Sequence, residues 1–270
     1  MASRVLKLAG LAIGAAALGG LLYAERARPL RKRTAEQLPR LARNAAMGAA
    51  CQAVIMTIEA PLTSTVAVRN ASAKRGLQHA IGGWRGRVVA FLAMDYSYYI
   101  WHAATHKLPF LWRFHRVHHV DPDCDASTAV RFHFIDMLLS IPWRMIQLRV
   151  SGADLGVMRS WQGFFLASVF FHHANWRLPR GLDRKLSSLI TTPEMHGIHH
   201  SQDLAEMDSN FTSGLSFWDR LHGSFRHGVR QDGLVIGVDD PAAERDSKLV
   251  PALLSPINAG GGRGQSHRPL

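Results

Sequence analysis

Residues 95–119 read DYSYYIWHAATHKLPFLWRFHRVHH, and residues 196–200 read HGIHH. Together they hold three groups: His102-x-x-x-His106, His115-x-x-His118-His119 and His196-x-x-His199-His200. Eleven of the chain's fifteen histidines fall between His102 and His200. Residues three and four apart share a helix face, so each group can aim two or three imidazoles at one point. A further cluster, His172-His173-Ala-Asn175, lies between the second and third groups. The pattern is that of a metal site built on helices.

Working outward, the ligand count comes first. The three groups supply eight histidines, and His133 and His173 raise the pool to ten. One metal takes roughly four to six donors, so the pool suits two metals held close together. Neutral imidazole accepts Zn, Cu, Fe and Ni alike. Several other chemistries are excluded by their missing motifs. His-Ala-Ala-Thr-His lacks the glutamate of a zinc protease. There is no Gly-x-Ser-x-Gly elbow and no Gly-rich phosphate loop. Cys51 and Cys124 form neither a disulfide framework nor a Cys-x-x-Cys site. A haem-binding redox protein stays open as a rival, because membrane helices often use paired histidines, but a haem needs one or two and leaves most of these unexplained. His79, His222, His227 and His267 stand alone and read as ordinary polar residues.

The charge of +12 is placed beside apolar runs rather than interleaved with aromatic residues, which speaks for membrane topology and against nucleic acid. Residues 5–24 are apolar and about as long as a bilayer crossing. Seven basic residues follow between Arg26 and Arg43. Such a cluster resists export, so the sequence predicts an uncleaved first span with its N-terminus outside and the cluster in the cytoplasm. Asn44 to Val68 is a second apolar run, broken by Glu59 and Pro61, and reads either as a crossing with a kink near Pro61 or as a re-entrant segment. The connection from Arg69 to Arg87 carries five basic residues and falls outside on this topology, which counts against it. A third span runs from Arg87 to the first histidine group. Phe134–Val150 and Leu155–Phe171 are either two crossings or a shallow re-entrant hairpin. Both versions put all three histidine groups on the face of the basic cluster. No alternating pattern supports a sheet, and the tail from Ser255, with its Gly-rich 259–264 stretch, reads as disordered.

Asp95, Tyr99, His102 and His106 fall on one helical stripe. A carboxylate inside a span usually faces a polar interior, so Asp95 is a candidate partner for a ligand histidine. Glu194 either tunes a ligand or starts a helix after Thr191-Thr192-Pro193.

These residues resemble the sterol desaturase and fatty acid hydroxylase superfamily. Three matches carry the likeness. The first is Asp95-Tyr-x-Tyr-x-x-Trp-His102 through Trp112-Arg113-Phe-His115-Arg-Val-His118-His119, with eight residues between the first two boxes. The second is Arg131-Phe-His133. The third runs from His173-Ala-Asn175 through Thr192-Pro193-Glu194-Met-His196-x-x-His199-His200 to Ser209-Asn210-Phe and Trp218-Asp219-Arg220-Leu. The match covers residues 40–240 and is closest to small bacterial members. Phe134 departs from the proline that commonly follows the histidine of the second element.

The resemblance implies an all-α, multi-pass membrane protein whose cytoplasmic helical cap carries the histidine boxes, in a bacterium at the inner membrane. Residues 1–43 would form an N-terminal helix and basic loop, 44–240 the catalytic membrane domain, and 241–270 a partly disordered tail. It implies a di-iron centre held by His102, His106, His115, His118, His119, His173, His196, His199 and His200, with zinc able to replace iron in isolated protein. His133, His172, Asp95, Asn175 and Glu194 are the further candidates around it. The implied reaction is O2-dependent hydroxylation or desaturation of a lipid (a sterol, carotenoid, fatty-acyl or ether lipid). Electrons would come from a separate ferredoxin or cytochrome-type donor, since no cytochrome b5 domain is seen here. The residues independently favour iron for an oxygenase, because zinc has no accessible redox chemistry. The rival expectation is a non-catalytic membrane protein that binds or senses metal.

Overall fold

A computed structural model describes residues 2–257. Helix α1 spans Ala2–Ala27. Helix α2 (Gln37–Val54) continues through a π-helical turn, Ile55–Glu59, into α3 (Ala60–Ala73). The expected kink at Pro61 is therefore a local widening. Pro61 enters in the first turn of α3, and the wide turn just before it accommodates the missing N–H within one continuous rod. Thr57, Thr63 and Thr65 satisfy their hydroxyls by donating to carbonyls four residues earlier.

The rod ends at Lys74, which is left-handed at φ 47°. The short α4 (Leu77–Ile81) reverses the chain into α5 (Gly83–Lys107). Leu108 is extended, so α6 (Pro109–His119) starts in a new direction with proline in its first turn. A loop with a 3-10 turn at Thr128–Val130 leads to α7 (Phe134–Ser151) and then α8 (Leu155–His173). The stretch that the sequence left open between a hairpin and two crossings is thus a pair of long antiparallel helices. Their connection includes Gly152 at φ 69°, packed so closely on Gly76 that a side chain on either would meet the other segment's backbone.

The rod, α5, α7 and α8 form a four-element bundle around Ala67, Ala90, Met94, Leu148, Val157 and Trp161. Polar side chains tie neighbours together through backbone carbonyls. Asn70 donates to Leu148 O at 2.8 Å, Gln147 to Met94 O at 2.6 Å and Trp143 Nε1 to Ser97 O at 3.1 Å. Outside, the bundle is apolar: Met56, Ile58, Leu62, Val88, Ile146 and Leu166 are all exposed. Judged by length and composition over the described residues, one helical stretch, Gln37–Ile81, is long and apolar enough to cross a membrane.

The remaining helices are short: α9 (Leu182–Leu186), α10 (Pro193–His199), α11 (Leu204–Met207), α12 (Phe217–Leu221), α13 (Ala243–Asp246) and α14 (Leu249–Leu254). Among the described residues there is no β-strand, only isolated bridges such as Pro29–Trp176. Most of this polar part gathers over the end of the bundle where α5 finishes. The segment after α1 is strapped to it: Asn175 accepts from Arg31 N at 2.8 Å and donates to Arg31 O at 2.9 Å. Helices α13 and α14 lie within residues 241–254, with Ala252 buried against Met47 and Val117. The Gly-rich 259–264 stretch and His267 lie outside the described residues.

Candidate metal centre

Three helix ends meet under the polar cap. The last two turns of α5 present His102 and His106. Helix α6 presents His115, His118 and His119, and α10 presents His196 and His199 with His200 just beyond it. Thr192 fixes the start of α10 by accepting from Met195 N. The end of α8 adds His173. In the structure these nine form two sets. His102, His106, His115, His119 and His199 have ligand-capable nitrogens within 4.8 Å of one another, and so do His118, His173, His196 and His200. All nine are buried.

The division follows from helix geometry. Consecutive residues diverge by about 100° around a helix, so the neighbours His118 and His119 point into different sets. His199 and His200 do the same. The sets are adjacent, and the His119 and His200 rings stack at 4.3 Å between centroids.

Backbone carbonyls fix the tautomers. His102 Nδ1 donates to Phe211 O at 2.6 Å and His199 Nδ1 to Ser209 O at 2.8 Å. A carbonyl only accepts, so the proton is on Nδ1 and each neutral ring has a bare Nε2. Those two Nε2 atoms lie 3.1 Å apart. The second set repeats the device. His118 Nδ1 donates to Arg131 O at 3.0 Å and His173 Nδ1 to Val169 O at 2.7 Å, and their Nε2 atoms also lie 3.1 Å apart. Two lone pairs facing one another at that distance repel unless a cation lies between them. Ligands about 2.1 Å from one ion, at right angles, stand about 3 Å apart. In addition, His106 Nε2, His115 Nε2 and both nitrogens of His119 are buried without a hydrogen-bond partner. The donor set therefore fits two metal ions, one in each set.

Burial reinforces this. Burial first, then the neighbouring imidazoles, drive His118, His119, His196 and His200 well below the usual histidine range. Burial pushes His199 down to about 3. These rings are neutral ligands at physiological pH.

The supporting residues differ from the sequence expectation. Asp95 does not meet a ligand histidine: its carboxylate accepts from Leu215 N at 3.1 Å and Trp218 Nε1 at 2.9 Å. It precedes His102 by seven residues, about 10 Å along the helix axis, and so it anchors the loop above instead. The carboxylate beside a ligand is Asp136, whose Oδ2 lies 3.3 Å from His115 Nδ1 with both groups buried. No local spacing links Asp136 to the histidine groups. Asn210, at φ 51°, accepts from Arg226 N and donates to Met195 O. It thereby holds its two neighbours, Ser209 and Phe211, whose carbonyls orient His199 and His102. Asn175 forms the strap to Arg31 and does not enter either set.

His133 caps α7, accepting from Ile135 N at 3.1 Å, and its Nε2 meets Leu253 O at 3.2 Å. His172 is buried with both nitrogens unpartnered, its ring 4.0 Å from that of His196, but it lies outside both sets. Glu194 begins α10 and, with Asp183 and His227, makes a third, half-buried group on the outer side of that helix. Burial and then Asp183 raise its carboxyl above the usual range.

A cavity of about 170 Å³ reaches His102 and His115 from within the bundle, walled by Tyr98, Trp101, Phe132, Phe165 and Val169.

The family model for fatty acid hydroxylases matches residues 87–224. Ornithine lipid hydroxylase OlsE of Rhizobium tropici is 33% identical over 158 residues, covering 58% of this chain and 46% of that protein. Alkylglycerol monooxygenase of Homo sapiens is 28% identical over 153 residues, covering 56% and 33%. A cholesterol 25-hydroxylase-like protein of Caenorhabditis elegans is 28% identical over 144 residues, covering 50% and 44%. The chain thus spans less than half the length of these curated relatives. No solved structure matches it.

Proposed function

Because the chain belongs to the fatty acid hydroxylase family, we propose that it is a membrane-bound, O2-dependent oxygenase that hydroxylates a lipid at a di-iron centre. The observation that carries this reading is the pair of imidazole sets, each with two bare Nε2 atoms face to face, at the closed end of an apolar cavity. His102, His106, His115, His119 and His199 would hold one ion, and His118, His173, His196 and His200 the other. Iron would supply the one-electron and O2 chemistry needed to break an unactivated C–H bond, which zinc cannot.

The chain's own contribution is placement. The carbonyls of Phe211, Ser209, Arg131 and Val169 hold four rings with Nε2 inward, and Asp136 supports His115. Phe132 stacks on His118 at 4.2 Å and lines the cavity beside His102 and His115. Desaturation uses the same ligands, and the names of the relatives favour hydroxylation. Reductant comes from a separate donor.

The reading includes a multi-pass topology with the histidine cap in the cytoplasm. Its support is the apolar outer face of the bundle, the spanning length of Gln37–Ile81 and the basic segment strapped to the cap.

Metal content and turnover test the proposal together. Protein from iron-replete cells is expected to carry two irons per chain and to consume O2 only with a lipid and a reductant. His118→Ala and His199→Ala, one from each set, are expected to abolish turnover while still inserting in the membrane. Zinc alone, with no O2 consumption, establishes the rival metal-binding or sensing role instead.

A further inference from the structure

The same cavity has a second end. It extends along α7 away from the histidines, past Ser140 to Arg144. Asp136, which touches His115, and Arg144 are eight residues apart, about 12 Å along the helix axis. An arginine in the middle of an apolar helix of a bundle like this one is a costly group to keep. Its immediate surroundings are as unusual. Glu59 Oε1 lies 3.4 Å from Arg144 Nη1, and Glu59 is itself 4% exposed. Glu59 closes the π-helical turn Ile55–Glu59, and a π-turn of this kind re-aims one side chain and is common at functional sites. The second carboxylate oxygen, Oε2, is buried and has no hydrogen-bond partner. Arg144 Nε donates to Ser140 Oγ at 3.1 Å, and among the described residues no hydrogen bond is made by its other terminal nitrogen, Nη2.

We propose that Arg144, braced by Glu59, is the recognition end of the cavity, binding an uncharged oxygen, a hydroxyl or a carbonyl, carried on a slender lipid chain. The chemistry of the pair selects the ligand. Glu59 already balances the guanidinium charge, so a carboxylate or phosphate would be repelled by the neighbouring Oε2. A neutral oxygen accepts from Arg144 without that penalty. Size selects the rest. At about 170 Å³ the space is close to the roughly 150 Å³ cavity that holds one benzene, so an alkyl chain fits and a fused-ring nucleus does not. With the oxygen held by Arg144, the carbon presented to His102 and His115 is set by the length of the cavity.

This inference rests on the lipid-oxygenase reading for its purpose, but its test needs neither metal nor turnover. The full chain as purified, in nanodiscs and without reductant, is offered equimolar hexanol and hexane, and the retained ligand is counted by native mass spectrometry. The wild type is expected to enrich the alcohol about tenfold, the discrimination one buried hydrogen bond supplies. Arg144→Met is expected to bring the ratio to one. The Glu59→Gln/Arg144→Met pair, which leaves no buried charge unpaired, is expected to do the same and serves if the single variant does not fold. A pair that only staples the helices leaves the ratio unchanged in the variants, and that result, or equal uptake by the wild type, overturns the proposal. A chain that prefers the alcohol but oxidises no lipid instead counts against the oxygenase reading alone.

Discussion

At the residue scale, His133 differs from the nine rings of the two sets in what its nitrogens touch. One nitrogen accepts from Ile135 N and the other meets Leu253 O, so neither is free for a metal. His133→Ala is expected to destabilise the protein by about 1 kcal/mol, the usual cost of losing a helix cap, and to leave the metal content at the wild-type level. A denaturation midpoint read beside an elemental assay on the same sample checks both halves, and lost metal assigns His133 to the centre after all. The contrast shows how far the sequence reaches. Spacing of three and four residues is local, so the three histidine groups are legible without a structure. Which nitrogen each ring turns to its set is not, because in four of them it depends on carbonyls of Arg131, Val169, Ser209 and Phe211 that the fold brings from elsewhere. Asp95 misled for the same reason: a shared stripe gives direction but not height, and Asp136, from another helix, stands at the right height.

At the element scale, the loop between α6 and α7 carries the second histidine group into register, and one side chain from α2 holds it. Arg40 is fully buried. Its Nε donates to Asp121 Oδ1 at 2.7 Å, Nη1 to Asp125 Oδ2 at 2.6 Å and Nη2 to Thr128 Oγ1 at 2.8 Å. Removing one member of such a buried network strands the others. Arg40→Met is therefore expected to cost about 3–5 kcal/mol. The pH dependence gives the sign. Burial pushes the Asp125 carboxyl up, but the charge and hydrogen bonds of Arg40 outweigh it and hold the group below the usual range. A depressed carboxyl contributes stability that is present above its unfolded value of about 4 and lost as pH falls through its folded value. In Arg40→Met the contribution of Arg40 is gone and only the Ser127 hydrogen bonds oppose burial, so the gap to wild type is expected to narrow as pH falls from 7 to 3. Urea midpoints at the two pH values decide this, and a constant gap refutes it. In the sequence Arg40 reads as one of seven solvated basic residues, and Asp121-Pro122-Asp123 as a plain turn. Their partnership spans more than eighty residues, so no local pattern announces it. The continuity of the rod through Pro61 was hidden in the same way, since a π-turn leaves no compositional trace.

At the scale of the whole molecule, the two ends of the bundle differ in character, and the difference decides how it can sit in a bilayer. One end carries the histidine cap, the basic segment from Arg26 to Arg43 and the strap through Asn175. The other carries the turn from Lys74 to Gly83 and the Gly152 connection, pressed together. Between them the surface is apolar, as are the exposed residues 12–20 of α1. The five basic residues of the 69–87 connection weigh against placing that end outside. Of those five, Arg87 Nη1 pairs with Asp154 Oδ2 at 3.1 Å. The seven basic residues at the cap outnumber the five here, and the bias in basic residues between the two ends sets orientation. Cys51 and Cys124 are buried and can stay in place for a labelling test. A membrane-impermeant maleimide applied to intact cells is expected to label Arg85→Cys and to spare Lys32→Cys, both positions being exposed. After the cells are opened, Lys32→Cys is expected to react as well. The opposite pattern inverts the molecule and puts the histidine cap outside, whereas labelling of both in intact cells means that the bundle does not separate the two ends across the bilayer.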